Sequence, residues 1–127
     1  MKFPEELLYD ETHEWVKDDG GQVTMGLTEF AQGQLRDIVY VELPEVGSTF
    51  RKGDSLGVVE SVKTAADVFS PVTGKVVETN LSLKDFPQYI NEDPYGKGWI
   101  VKMELENREE LKGLLSSEAY QSLLGTS

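Results

Sequence analysis

The stretch that decides the fold is "GVVESVKTAADVFSPVTGKVV", residues 57–77, in which two apolar, valine-rich runs flank a single lysine. Short β-branched runs bounded by turn residues are typical of β-strands. The residues that follow Lys63 are too small to cover its amine, namely Thr64, Ala65 and Ala66. The pattern therefore predicts a β-hairpin with the Lys63 amine exposed at its tip.

Short strands separated by turn residues also fill the rest of the first hundred residues. "HEWVK" and "QVTMGLT" flank Asp18-Asp19-Gly20-Gly21, which predicts a second hairpin. In "DIVYVELP", alternation places Ile38 and Tyr40 on one face of a strand and Val39 and Val41 on the other. "GWIVKMELE" alternates as a half-buried strand does.

Helices are minor. Thr28 is the predicted N-cap of a short helix in "TEFAQGQLR". "NREELKGLLSSEAYQSLL" predicts two helical pieces, with a capping arrangement of Asn107 and Glu110 and a second start at Ser117. We therefore predict a single domain over residues 1–127. Its fold is mainly β, with two short sheets packed as a barrel-like sandwich and short peripheral helices, including a C-terminal one.

Composition excludes several classes of function. The chain has 23 acidic and 12 basic residues, a formal charge of -11, which disfavours binding to nucleic acid or an anionic membrane. Such an acidic surface favours binding to basic patches on other proteins. Cysteine is absent and His13 is the single histidine, which argues against disulfides, thiolate nucleophiles and common zinc sites. We expect that the chain is not an enzyme by itself.

The N-terminal sequence "MKFPEELLYD" is acidic and lacks the features of a signal or transit peptide. No apolar run approaches the ~18 residues that suggest a membrane span. The expected location is the cytoplasm, with a processed mitochondrial matrix protein as the alternative.

The exposed Lys63 has two interpretations on composition alone. It is either a solubilising surface lysine or the attachment site of a carboxylic-acid cofactor through an amide. The second requires a rigid turn and small neighbours, and the flanking valines and alanines provide both.

Four motifs resemble those of the glycine cleavage system H proteins. They are "VVESVKTAADVFSPVTGKVVE" around Lys63, "HEWV", "DIVYVELPEVG" and "NEDPYGKGW", and the resemblance covers roughly residues 7–124. The Glu-Ser-Val-Lys core is the specific part, with Pro71 and Gly74 at the family's spacing. The resemblance implies the biotinyl/lipoyl-carrier-like fold, a flattened hybrid of β-barrel and sandwich. It also implies a non-catalytic carrier with lipoate covalently attached to Lys63 as an N6-lipoyllysine.

The family's task implies the partners. The lipoyl group takes an aminomethyl group from the P-protein (glycine decarboxylase), passes it to the T-protein (aminomethyltransferase) and is reoxidised by the L-protein. A lipoate ligase or lipoyl transferase attaches the cofactor, and we expect a monomer. One alternative is an H-like protein that donates lipoyl groups to 2-oxoacid dehydrogenases. Another is an unmodified β interaction module.

The resemblance also implies roles for two glutamates. Glu60 presents Lys63 to the ligase, or is simply a solvated carboxylate of the hairpin. Glu14 contacts the amine of the loaded arm, which folds into a cleft in this family, or is an exposed strand residue. Phe30 departs from the family pattern, because H proteins commonly have histidine there, and this puts a polar role of the position in doubt. His13 is interpreted as a strand-end or packing residue and not as a catalyst.

Overall fold

The computed structural model describes residues 1–125 of the chain. Its strands are β1 (Leu8–Tyr9), β2 (Glu14–Asp18), β3 (Gln22–Leu27), β4 (Ile38–Glu42), β5 (Thr49–Phe50), β6 (Ser55–Ser61), β7 (Ala65–Phe69), β8 (Gly74–Thr79) and β9 (Val101–Leu105). Its helices are α1 (Glu29–Leu35), α2 (Ser82–Asp85), α3 (Tyr89–Glu92) and α4 (Ser117–Leu123), with a 3-10 helix over Arg108–Gly113.

The strands form two antiparallel sheets. The larger has the order β1-β2-β3-β9-β8-β5, and the smaller has the order β4-β6-β7. One apolar core joins them, with Val16 and Met103 from the larger sheet and Val59 and Val68 from the smaller. The prediction of a mainly β fold with short peripheral helices is confirmed, and the two sheets do not close into a barrel. The predicted single domain ends at residue 127, and residues 126 and 127 lie outside the described part.

The predicted hairpin at residues 18–21 is confirmed. β2 pairs with β3, and Asp18 faces Val23 across the turn. The Asp19 N–H donates to the Gln22 carbonyl at 2.9 Å. Gly20 has a φ of 90°, a left-handed conformation that costs glycine little because it has no Cβ. Local turn chemistry therefore explains this part of the larger sheet.

The predicted alternation in β4 is wrong. A β-bulge interrupts the pairing of β4 with β6 between Ile38 and Tyr40. Because the bulge adds one residue, it reverses which face the following side chains occupy. Ile38 and Val41 are consequently the buried residues of β4, whereas Val39 and Tyr40 are both exposed.

The helix predictions are confirmed in position. The Thr28 hydroxyl oxygen accepts a hydrogen bond from the Ala31 N–H at 3.2 Å and caps α1. α4 begins at Ser117 as predicted, with its cap on Ser116.

The capping arrangement predicted for Asn107 and Glu110 holds for one partner only. The Asn107 side chain accepts from the Glu109 N–H at 3.0 Å and caps the 3-10 helix. Glu110 instead accepts hydrogen bonds from the Thr73 N–H at 2.6 Å and the Thr73 hydroxyl at 2.9 Å. Its carboxylate therefore anchors this helix to the loop before β8.

Candidate cofactor-attachment site

Lys63 lies in the middle of the three-residue turn between β6 and β7. The Ser61 hydroxyl oxygen accepts hydrogen bonds from the N–H groups of Lys63 at 3.3 Å and Thr64 at 3.1 Å. The Ser61 N–H donates to the Thr64 carbonyl at 2.7 Å, and the Val62 N–H donates to the Asp37 carbonyl at 3.1 Å. Hydrogen bonds of the backbone and of the Ser61 hydroxyl thus hold the turn, while the Lys63 side chain is exposed and has no hydrogen bond or ion pair within residues 1–125.

Glu60 lies three residues before the lysine, near the end of β6. Its neighbours across the sheet are Tyr40 on β4 and Ala65 on β7. The residues beside it in sequence, Val59 and Ser61, are buried, whereas Glu60 is exposed. Its carboxylate makes no hydrogen bond or ion pair with any residue that the structure describes. It is therefore free to meet a macromolecular partner at the hairpin.

A cleft of about 310 Å³ opens beside the hairpin. α1 and the β6–β7 hairpin contribute most of its wall, and the loop before β2 and the end of β3 contribute the rest. Ala66 lies three residues after Lys63, so the two Cα atoms are at most about 11 Å apart. The cleft therefore has a wall residue close to the turn that carries Lys63. The lining residues are Thr12, His13, Leu27, Phe30, Ala31, Gln34, Leu35, Val59, Ala66 and Asp67.

A larger and open depression of about 650 Å³ lies elsewhere, among β5, β8 and β9. No residue of β6 or β7 lines it. It is therefore not adjacent to the turn that carries Lys63, and the smaller cleft is the one that fits a tethered group.

Glu14 is fully buried, so the alternative of an exposed strand residue is wrong. Its Oε2 accepts a hydrogen bond from the Phe69 N–H at 3.2 Å, and its Oε1 accepts one from the Thr12 hydroxyl. Burial raises the pKa of Glu14 to about 8, because the charged form loses its hydration. Glu14 itself does not line the cleft, but its partner Thr12 does.

His13 forms part of the cleft wall and is tied to the C-terminal helix. Its Nδ1 lies 2.8 Å from the Tyr120 hydroxyl, which lies 2.9 Å from the Thr28 hydroxyl. Donation from Thr28 to Tyr120 and from Tyr120 to Nδ1 satisfies both hydroxyl donors when His13 is neutral and carries its proton on Nε2. Burial lowers the pKa of His13, which agrees with a neutral ring. His13 directly precedes β2 and its ring packs against Phe30, as expected of a strand-end or packing residue, and it also contacts the Tyr120 hydroxyl.

Phe30 lies against His13, with the ring centroids 4.9 Å apart. Its side chain lines the cleft from α1. An apolar ring at this position replaces a group able to hydrogen-bond, so the wall here excludes water rather than binding it.

Sequence reasoning missed three residues of the site: Thr12, Asp67 and Tyr120. Asp67 is an exposed carboxylate in the cleft. Its position four residues after Lys63, in the second strand of the hairpin, is the sequence feature that could have indicated it. Thr12 and Tyr120 gave no usable signal, because their importance depends on contacts with Glu14 and His13.

Residues 1–125 contain neither a metal-binding cluster nor a membrane-spanning helix. No group of three or more histidine, aspartate or glutamate side chains there could hold a metal ion. No helix in the same range is long and apolar enough to cross a membrane.

Comparisons with known proteins identify the family to which the chain is similar. A family model described as glycine cleavage H-protein matches residues 7–127. The glycine cleavage system H protein of Listeria monocytogenes serotype 4a is 56% identical over 124 residues, which cover 98% of this chain and 99% of that protein. The H protein of Staphylococcus haemolyticus is 52% identical over 125 residues, with 98% and 99% covered.

A solved structure shows the same similarity in three dimensions. The crystal structure of a glycine cleavage system H protein from Mycobacterium marinum matches with a TM-score of 0.86 and 36% identity. The match covers 96% of this chain and 98% of that one. The chain therefore belongs to the glycine cleavage H-protein family, whose members are lipoyl carriers of the glycine cleavage system and not catalysts.

Proposed function

We propose that Lys63 carries lipoate through an amide on its Nζ. The observation that carries this proposal is the exposed, unpartnered lysine side chain on a turn held by Ser61, beside a cleft. A fixed turn presents the amine at a defined place, and small neighbours leave room for an enzyme. The residues around Lys63 therefore fit an attached acyl group.

The carrier then serves three partners in turn. It accepts an aminomethyl group from the P-protein, delivers it to the T-protein and is reoxidised by the L-protein. The dithiol chemistry belongs to the cofactor, which agrees with a chain that has no cysteine. Complexes with several partners have to be short-lived, and the charge of -11 favours rapid encounter with basic surfaces.

The protein's own task is to shelter the loaded arm. The cleft offers Leu27, Phe30 and Leu35 as apolar wall, and Asp67 as a carboxylate able to attract an amine. Exclusion of water slows hydrolysis of a labile adduct. The mainly apolar wall supports this role.

Glu14 is proposed to contact the amine of the loaded arm. Its burial next to Thr12, a residue of the cleft, supports this role. When a buried carboxyl ionises beside an incoming cation, the attraction between the two charges is stronger than in water, because the local dielectric constant is low. The amine has to approach past the Thr12 hydroxyl, which already bonds to Glu14.

Glu60 is proposed to present Lys63 to the lipoate ligase or lipoyl transferase. Its exposure and its lack of a partner within residues 1–125 support this role. Residues 1–127 are proposed to act as one carrier domain and as a monomer. A cytoplasmic location is proposed because the relatives named above are bacterial.

The experiment is an intact mass of the protein made in lipoate-competent cells, followed by peptide mapping across residues 52–75. We expect one lipoyl increment on Lys63. Lys63→Arg should fold normally and remain unmodified, because guanidinium is not an acylable amine under these conditions. Lys84→Arg, at an exposed lysine of α2, is the matched control and should be lipoylated like the wild type. An unmodified wild type would reject the proposal and favour the interaction module.

A deletion experiment distinguishes the alternative role, the donation of lipoyl groups to 2-oxoacid dehydrogenases. If dehydrogenase lipoylation fails in cells that lack this chain while glycine cleavage continues, the lipoyl-relay role replaces the proposed one. A chain whose function survives Lys63→Ala is not a lipoyl carrier.

A further inference from the structure

Three large apolar side chains are exposed near the hairpin tip. Val39 is 54% exposed, Tyr40 is 52% exposed and Val62 is 70% exposed. We name these three residues the outer patch. In a regular strand one of two successive residues faces the core, but the bulge in β4 turns both Val39 and Tyr40 outward. Bulges of this kind often direct side chains at functional edges.

The outer patch is continuous with the lysine turn. Tyr40 pairs with Glu60 and Glu60 with Ala65, so these three share the outward face of the smaller sheet. Val62 directly precedes Lys63, and its N–H donates to the Asp37 carbonyl at 3.1 Å. Of the hairpin residues in the cleft wall, Val59 and Ala66 alternate with these outward residues along the strands, whereas Asp67 lies on the same side of β7 as Ala65. The patch and most of the cleft wall therefore lie on different sides of the hairpin.

Carboxylates surround the outer patch. Asp37, Glu42 and Glu60 are exposed, and none of them forms an ion pair within the described residues 1–125. Arg36 and Lys63 are cations close in sequence to these residues, and acylation removes the charge of Lys63. An apolar centre ringed by unpaired carboxylates matches a partner with an apolar recess bordered by lysine or arginine.

We propose that the outer patch and its carboxylates form the docking surface for the enzyme that acylates Lys63. This rests on the proposed attachment at Lys63. Proteins that act on the loaded arm can meet it at its far end, well away from the turn. The acylating enzyme has to reach the Lys63 Nζ itself, so its contact surface lies within one lysine side chain of the turn. The outer patch is the exposed apolar surface contiguous with that turn.

The reaction at this surface has a simple balance. The ammonium of Lys63 releases a proton, and the neutral Nζ attacks the carbonyl carbon of acyl-activated lipoate. A C–N amide bond forms, the bond from that carbon to the activating group breaks, and the nitrogen releases a second proton. Docking serves to place Nζ against the activated carbonyl, and no oxidant or reductant is required.

The test measures lipoylation rates of the full-length, unmodified protein with a purified lipoate ligase, lipoate and ATP. Val39→Ser, Tyr40→Ser and their combination reduce the patch. Val46→Ser is the control, because Val46 is 62% exposed but lies in the turn between β4 and β5. We expect kcat/KM of the double variant to fall roughly tenfold or more, mainly through KM. Val46→Ser should match the wild type, and salt at about 0.5 M should slow the wild type.

Circular dichroism and the urea midpoint confirm that each variant is folded. Double-variant rates equal to those of the wild type would overturn the docking surface while leaving Lys63 as the attachment site. Equal lipoylation combined with slower glycine decarboxylation would assign the patch to another partner and also overturn the proposal. A wild type that stays unmodified would reject the proposed function and this inference together.

Discussion

The Oε2 of Glu14 accepts a hydrogen bond from the Phe69 N–H at 3.2 Å, and this bond joins the larger sheet to the end of the lysine hairpin. The two residues are 55 positions apart in the chain. A buried carboxyl thus holds β7, which carries part of the cleft wall, against β2. The same group that is proposed to meet the loaded arm therefore also positions the strand beside it.

The buried carboxyl of Glu14 makes stability depend on pH. Its pKa rises from 4.5 in the unfolded chain to about 8 in the folded protein. Between these values the folded state holds a proton that the unfolded state has released. Protonated Glu14 therefore makes its full contribution to the free energy of unfolding below pH 4.5, and this contribution is lost as the pH rises through 8. The free energy of unfolding falls by at most about 1.4 kcal/mol per pH unit over this range.

Urea unfolding of wild type and Glu14→Gln at pH values from 5 to 8 checks this prediction. Glutamine keeps an acceptor for the Phe69 N–H but does not titrate. The wild type should lose stability relative to Glu14→Gln as the pH rises. Parallel curves for the two proteins would contradict a raised pKa at Glu14.

His13 should titrate below its ordinary pKa of 6.5, because burial disfavours the imidazolium. It is the single histidine of the chain, so its imidazole NMR signals need no further assignment. Tyr120→Phe removes the hydroxyl that lies 2.8 Å from Nδ1, and we expect the midpoint to move upward. A midpoint at or above 6.5 in the wild type would show that the ring is not held neutral.

Gly74→Ala should destabilise the fold. A Cβ at Gly74 would lie 2.2 Å from the Glu104 backbone oxygen, so β8 and β9 would have to separate. We expect a loss of about 1–3 kcal/mol in the free energy of unfolding, as for other forced overpacking. Gly33→Ala is the control, since nothing lies within 4 Å of its Cβ position in α1. Gly33→Ala should stabilise the helix by up to about 1 kcal/mol. Equal changes in the free energy of unfolding for the two substitutions would contradict a specific steric requirement at Gly74.

Phe30→Ala should shorten the lifetime of the aminomethyl adduct on the lipoylated protein. The smaller side chain admits water to the cleft, and the adduct is prone to hydrolysis. The decay is followed by mass spectrometry after loading with glycine and P-protein. Phe86→Ala, at a phenylalanine that does not line the cleft, should leave the lifetime unchanged. An unchanged lifetime in Phe30→Ala would remove Phe30 from the water-excluding wall.

Glu60→Gln should lower the rate of lipoylation by roughly tenfold or less, because it removes one charge from an exposed carboxylate at the hairpin. Glu78→Gln makes the same change at an exposed position of β8 and is the control. The measurement is the initial rate of mass increase with a purified ligase. Equal rates for both variants and the wild type would leave Glu60 as a solvated carboxylate.

The sequence by itself determined the local elements. The lysine turn, the Gly20 hairpin and the Thr28 cap depend on residues within a few positions of each other. Alternation and turn chemistry are local properties, so they can be read in order along the chain. The lysine was recognisable because its turn is built from its immediate neighbours.

Only the tertiary structure decided the rest. Alternation in the sequence places Val39 on the same face as Val41. The pairing of β4 with β6 introduces a bulge, and the bulge leaves Val39 exposed while Val41 is buried. Glu14 has an ordinary strand position, and its pKa is raised by burial, while the hydrogen bond that it accepts from the Phe69 N–H of β7 lowers the pKa. Tyr120 lies 107 positions from His13, and only the docking of α4 brings their side chains together. Desolvation and long-range hydrogen bonds arise when distant segments pack, and no local pattern in the sequence contains that information.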